Sequence, residues 1–432
     1  MINPVSAKSY DIVQLVNQYV SAIAHIFNSA IQFLSRQIFR PEPGFRFYRN
    51  SFYQEFQSLM QSKIIDTSTV FSDELKLAAI KFIEKADKSN YEIFTKVLRQ
   101  DLIKEPENKD LQDLCCTIYK QNLFPSYQRL LENEFKIKNL DQVKSFSKEK
   151  FLSFLDSHYN FLANGWFYNN HLGPKYYDPR LEGDLPSHLY YLNFNDQKVE
   201  VIRTPNATFD DHFLGKTVST VVPEFQSLLK SGQTHLYINL MVSSWGSEKR
   251  RTEALANLAE KFPNFIFCSL DKDTSFYSQS KSFADVSDAQ LFKKSFINRM
   301  IENENFIFPK NIDVKSQFSP ILEQIHQEFF SGKTSLSVQE RKVFIELCYS
   351  KIIEILCVSS QAKTLNISCK STVDRGASQL AMLHAFHNRD NKELIDKKLL
   401  SILAFGPALG NQNRAMLPER FSSMIASLKH LI

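Results

Sequence analysis

Glycine and proline are scarce here, 11 and 15 among 432 residues against 37 phenylalanines. Collagen-like and glycine- or proline-rich disordered chains are thereby excluded, and long helices with few tight turns are favoured. Metal spacing is also missing. Cys115, Cys116, Cys268, Cys348, Cys357 and Cys369 form no C-x2-C pairs. No metal centre or cofactor is expected, and five of the six read as buried free thiols in a reducing compartment. No secretory leader is expected, because no basic patch precedes the apolar run Val20 to Leu34 and His25, Asn28, Ser29 and Gln32 interrupt it. No stretch reaches transmembrane length. Without a basic stripe interleaved with aromatics, nucleic acid is not an expected partner.

What is present is an ordinary soluble composition, 43% hydrophobic and 23% charged, in a chain long enough for two or three domains. Charge is unevenly placed. Ser360 to Ile432 carries ten Lys+Arg against five Asp+Glu, leaving 42 of each in the rest of the chain, so the whole net charge of +5 lies at this end. Such a surplus suits a phosphorylated substrate or peripheral contact with an anionic membrane; a solvated helix face is the plainer reading.

The first part reads as helix after helix. Val16, Val20, Ile23, Phe27, Ile31, Leu34 and Ile38 recur every three or four positions, a seam that packs on its own domain or takes a partner helix. Pro41 to Gly44 ends it, and further helical patterns run over 52–62, 72–88, 91–103, 111–138 and 147–162. His158, on one face of the last, reads as a satisfied helix histidine. At 164–186 the texture turns to Gly, Asn, Pro and Tyr. The expected organisation is a helical domain over 1–163, a linker over 164–186 and an α/β domain over 187–432.

In that second domain Tyr190–Phe194, Val199–Ile202, Leu236–Val242 and Phe265–Leu270 read as strands, with helices at Val218–Ser231 and Glu248–Phe262 between them. The overall class is α/β, α+β when the helical half is included. Strand ends carry ligand sites in such sheets, which nominates Arg203 to Asn206 and Asp271 to Asp273. Ser331 to Thr334, SGKT, is not a nucleotide loop, since Gln327 stands where the first glycine belongs. A capping box at Ser337 and Glu340 starts a helix there instead.

That helix leads to the strand Leu365–Ser368 and then to Cys369-Lys370-Ser371-Thr372-Val373-Asp374-Arg375. A cysteine followed six residues on by an arginine lets a tight loop wrap one phosphate with backbone N–H groups and a guanidinium. Apolar spacing at Leu380, Leu383 and Phe386 puts a helix behind the loop, and a helix N-terminus favours a thiolate and a bound dianion. Asn411 to Arg414 and Arg420 are downstream candidates to reach the same site.

The run Cys-Lys-Ser-x-x-Asp-Arg resembles the cysteine-dependent inositol-phospholipid phosphatases, in particular the inositol polyphosphate 4-phosphatases and the related effector phosphatases that bacterial pathogens inject into host cells. More loosely, the low-glycine, phenylalanine-rich character resembles uncharacterised chlamydial proteins of unknown function. The phosphatase resemblance covers about seven residues and their flanks. It implies a cysteine-phosphatase-like fold for the second domain, with Cys369 as nucleophile, Arg375 as phosphate clamp and Asp374 as a candidate acid. Lys370 would contact inositol-ring phosphates, and Ser371, Thr372, Val373 and Gly376 would complete the loop. Asp210, Asp211, Asp271 and Asp273 compete with Asp374 for the acid's role. Two positions depart from the pattern. Val373 stands where a second lysine is usual, and Gly376 where a Thr or Ser hydroxyl normally helps the thiolate leave. The implied activity is phosphoinositide hydrolysis, in the cytoplasm or in a host cytosol reached by a non-Sec route. A degenerate phosphatase that only binds, and an interaction protein working through its helical half, stay open.

Overall fold

The computed structural model describes residues 124–169 and 187–432, apart from 195–196, 205–206, 214–215 and 413, together with scattered positions from 99 to 116. The expected seam over 16–38, its stop at 41–44, the helices at 52–62 and 72–88 and most of the expected linker lie outside the described residues. The chain divides into two compact units, Met1–Thr117 and Ile118–Ile432. Every element named below belongs to the second.

In chain order these are α1 (Phe124–Phe135), α2 (Lys148–Asn169), β1 (Ser187–Phe194), β2 (Gln197–Arg203), β3 (Thr208–Phe213), β4 (Lys216–Val221), α3 (Pro223–Lys230), β5 (His235–Asn239), α4 (Gly246–Lys261), β6 (Phe265–Ser269), α5 (Ala289–Glu302), α6 (Val314–Phe330), α7 (Val338–Ser359), β7 (Thr364–Ser368), α8 (Arg375–His387), α9 (Lys397–Gln412) and α10 (Pro418–Leu431). The class is mixed α/β, as expected. Tyr127, Leu130 and Leu131 of α1 and Phe151, Leu155 and Leu162 of α2 are buried in the same core as the sheet and α9. These two helices, expected within 1–163, therefore fold with the sheet.

The five-stranded sheet has the order β1-β2-β7-β5-β6. β1 runs antiparallel to β2, while β2, β7, β5 and β6 are mutually parallel. β5 and β7 are buried at every residue, as central strands covered on both faces must be. Strand alternation sorts their side chains between two cores. Leu236, Ile238, Leu365 and Ile367 enter the larger, helix-built one, whereas Tyr237, with Phe265 and Phe267 of β6, enters a smaller one beside Phe225, Leu255 and Leu258. On that smaller side His235 donates from Nε2 to Asn366 Oδ1 (2.6 Å) and accepts at Nδ1 from the Thr364 hydroxyl (2.7 Å). Burial pushes the ring's pKa down to about 4, so it is neutral at pH 7.

The capping box is present: the Glu340 N–H donates to Ser337 Oγ and the Ser337 N–H to Glu340 Oε2 (2.8 Å). SGKT is the turn before it, with Ser331 in the left-handed region at φ 51° and Lys333 bonded to Glu340. One expected element changes type. Residues 218–221 are not helical: they belong to β4, which pairs with β3 in a two-stranded sheet, and the helix starts only at Pro223. The run Lys216–Val221 is rich in β-branched residues, which favour a strand, while proline suits the first turn of a helix. Asp210, on β3, bonds Ser219 (2.6 Å) and pairs with Arg251 (2.7 Å), which corrects its nomination as an acid at the cysteine loop. Among the described residues no helix is long and apolar enough to cross a membrane.

Candidate active site

β7 ends in the middle of the sheet, and residues 369–374 bend away from it before α8 begins at Arg375. The loop thus stands at the carboxyl end of the central strand, where parallel sheets place their ligand crevice. Thr372 is at φ 53°, a region a β-branched residue seldom enters. Its methyl group fills the space that a side chain on residue 376 would need. A Cβ there would meet Thr372 Cγ2 at 2.7 Å and the Ile367 carbonyl at 2.9 Å, so the close approach of loop to helix requires glycine. The Thr372 hydroxyl donates to the Thr204 carbonyl (2.8 Å) and lies 3.0 Å from Ser368 Oγ. The strained residue is held by bonds to the end of β2, and strain of this kind gathers at functional sites. Val373 is buried in the larger core. Val373 and Gly376 can therefore meet a ligand only through the main chain.

Among the described residues no acceptor takes the backbone N–H groups from Lys370 to Arg375. A run of such donors at a helix N-terminus makes an anion cradle. Cys369 opens it, nearly buried, and Lys370 is exposed.

Arg375 closes the loop. Its Nη1 donates to the Leu240 carbonyl (2.9 Å) and its guanidinium pairs with both carboxylate oxygens of Glu248, in the first turn of α4. Glu248 in turn accepts the Val242 N–H (2.8 Å). Burial works against the charge on Arg375, but the Glu248 bonds, with Cys369 and Asp273 nearby, more than reverse it and hold the pKa above its ordinary value. Burial likewise opposes the charge on Glu248, and the bonds from Arg375 still pull its carboxyl below the usual range. This bidentate pair fixes the plane of the guanidinium.

Two aspartates carry ion pairs at the loop. Asp374 gives both oxygens to Arg414 (2.8 and 2.7 Å), and its Oδ1 also accepts the Leu417 N–H (2.9 Å). Its carboxylate ties the loop to the connection between α9 and α10. Asp273, on the segment after β6, lies 3.4 Å from Arg375 Nη1, pairs with Arg420 of α10 and is partly exposed. Asp271 is spent on its own turn, bonding the N–H groups of Asp273 and Thr274 and the Thr274 hydroxyl, and burial pushes its carboxyl up. Asp211 sits on β3 in register with Val218.

Lys272, between the two aspartates, turns inward. It is buried, with Glu346 of α7 at 2.7 Å and Gln379 of α8 at 2.9 Å, and Tyr277 donates to the same Glu346 carboxylate. Burial pushes its pKa down to about 8 against the pull of Glu346. Both expected downstream segments arrive: Gln412 donates to Ser371 Oγ (3.1 Å), Arg414 reaches Asp374 and Arg420 reaches Asp273. Arg203 adds a bond to the Ser371 carbonyl (3.3 Å). The segment after β5, with Leu240 and Glu248, was not among the expected site residues. The strand-end rule that nominates 203–206 and 271–273 also covers it. Cys268, Cys348 and Cys357 lie in the same core as Cys369 but away from the loop, and burial pushes these three thiols up. Among the described residues no cluster of His, Cys, Asp or Glu is arranged to hold a metal ion.

Compared with protein-family models, curated proteins and solved structures, the chain matches none.

Proposed function

We propose that the chain is a cysteine-dependent phosphatase acting on phosphoinositides through a cysteinyl-phosphate intermediate. One observation carries the reading: the loop that runs from Cys369 to Arg375 at the end of β7 has backbone N–H groups that no described residue accepts, and the Asp273 carboxylate lies 3.4 Å from the Arg375 guanidinium. A phosphoryl group seated there receives backbone N–H bonds and, from the Nε edge of Arg375 that Glu248 leaves open, guanidinium bonds on its equatorial oxygens. The Cys369 thiolate attacks phosphorus, forming the S–P bond as the bond to the inositol oxygen breaks. A carboxylic acid gives that oxygen its proton. Both aspartates are ion-paired, but Asp273 fits this task better: it is the more open of the two, with Oδ2 only 3.4 Å from Arg375 Nη1, whereas Asp374 is largely buried with its oxygens on Arg414 and Leu417. Water then attacks the cysteinyl phosphate, Asp273 takes the water's proton, and the thiolate leaves. Lys370, exposed on the loop, suits a headgroup with further phosphates.

The test is phosphate release from a panel of phosphoinositides and a small aryl phosphate, comparing the native chain with Cys369→Ser. Release by the native chain alone supports the reading and names the substrate; equal silence from both contradicts it. A second reading, a degenerate phosphatase-like module that binds a phosphoinositide or a protein without turnover, is favoured by one observation. The position where the resembled family carries a hydroxyl is Gly376, and the Thr372 methyl fills the space beside it. That reading expects headgroup binding with no release.

A further inference from the structure

The mouth of the loop is flanked by two large apolar side chains that face solvent. Trp245, 70% exposed, caps α4, with Gly246 at φ 71° turning the chain behind it and Glu248 three residues on gripping Arg375. Leu417, 44% exposed, is tied to the other side of the loop through its own N–H on Asp374. The exposed Lys370 lies near enough to Glu248 to help lower its carboxyl, on the Trp245 side. An indole on a loop tip has the amphipathic character of residues that settle at the headgroup level of a bilayer. Beside it is the exposed Lys370, whose charge complements an anionic leaflet. A protein partner would more commonly meet one continuous apolar patch than two tips separated by a polar mouth.

We propose that Trp245 and Leu417, with Lys370, form a rim that docks the loop mouth onto an anionic bilayer, so that a lipid headgroup can enter while its acyl chains stay in the membrane. The headgroup clause rests on the phosphatase reading; the docking does not. The experiment therefore uses the full-length chain carrying Cys369→Ser, sedimented with vesicles of phosphatidylcholine alone and with vesicles enriched in phosphatidylserine, which offers the loop no phosphomonoester. Binding only to the anionic vesicles is expected, weakened about tenfold by a further Trp245→Ala and reduced by salt. With Trp166→Phe leaving Trp245 as the sole indole, its emission should shift to the blue on the anionic vesicles. Trp245→Ala alone should leave turnover of a soluble aryl phosphate unchanged. No binding to anionic vesicles, or equal binding with and without Trp245, overturns the docking rim. Silence toward the aryl phosphate in every chain, with Trp245-dependent vesicle binding intact, would overturn the phosphatase reading and leave the rim standing.

Discussion

At the entry of β7, Thr364 and Asn366 bond both ring nitrogens of a neutral, buried His235 inside the smaller core. At its exit, a few residues further, the backbone N–H groups from Lys370 to Arg375 have no acceptor among the described residues, next to a strained Thr372 and a paired Arg375. One strand thus has an end where both nitrogens of a buried ring are met, with Asn366 Nδ2 left over, and an end where six consecutive backbone N–H groups lack an acceptor among the described residues. Ordinary folding drives toward the first arrangement, because an unmet buried polar group lowers stability by about 1–3 kcal/mol. The second persists when surrounding elements enforce it, here through Thr204, Glu248, Arg414 and Gly376. This is why the exit, and not the entry with its equally buried polar residues, is the candidate site.

The contrast breaks first at the nucleophile. Cys369→Ser should lower phosphate release by about 10³-fold or more with the thermal melt little changed, Arg375→Lys should lower release as much and also lower the melt because the bidentate Glu248 pair is given up, and Cys268→Ser should leave release intact; steady-state rates and calorimetry check this. Next comes Asp273→Asn. It should slow formation of the cysteinyl phosphate from inositol phosphates by about 10²-fold, and far less from an aryl phosphate whose leaving group needs no proton, while hydrolysis of the intermediate slows for both; the burst of released alcohol across a leaving-group series measures the first step. Asp374→Asn should instead act on stability, through Arg414. Gly376→Ala pushes a methyl against Thr372 and the Ile367 carbonyl and should lower unfolding free energy by about 1–3 kcal/mol in denaturant titration, with release falling as the loop shifts.

The smallest effect sharpens the other end. His235 and the buried His384 of α8 both have pKa values pushed down by burial to about 4. The unfolded chain takes up protons near pH 6.5 and the folded one does not. Their contribution is therefore full above about 6.5 and is lost as pH falls toward 4, by at most about 1.4 kcal/mol per pH unit for each ring. His235→Gln should flatten that acid slope without altering release at neutral pH.

Much of this was legible locally. The β-branched and aromatic runs marked β1, β2, β5, β6 and β7, the capping box marked α7, and Cys369 to Arg375 announced the loop. The β3–β4 hairpin was hidden because its polar, mixed sequence shows no apolar alternation, and its neighbour α3 extended the helical pattern over it. At the site, Glu248 and Arg375 are separated by 127 positions and Asp273 and Arg420 by 147, and no local pattern reports which distant charge will meet which. The choice among aspartates followed the same limit. Asp374 stands beside the arginine in sequence, but in the fold Asp273 meets Arg375.

The most direct test of the central claim is rapid quenching of Asp273→Asn with an aryl phosphate, followed by mass spectrometry of the loop peptide. Without the carboxylate that activates water, the intermediate should accumulate, and one phosphoryl group should be found on Cys369. An aryl phosphate turned over with no phosphoryl group on Cys369, or with the label on another residue, would contradict the account.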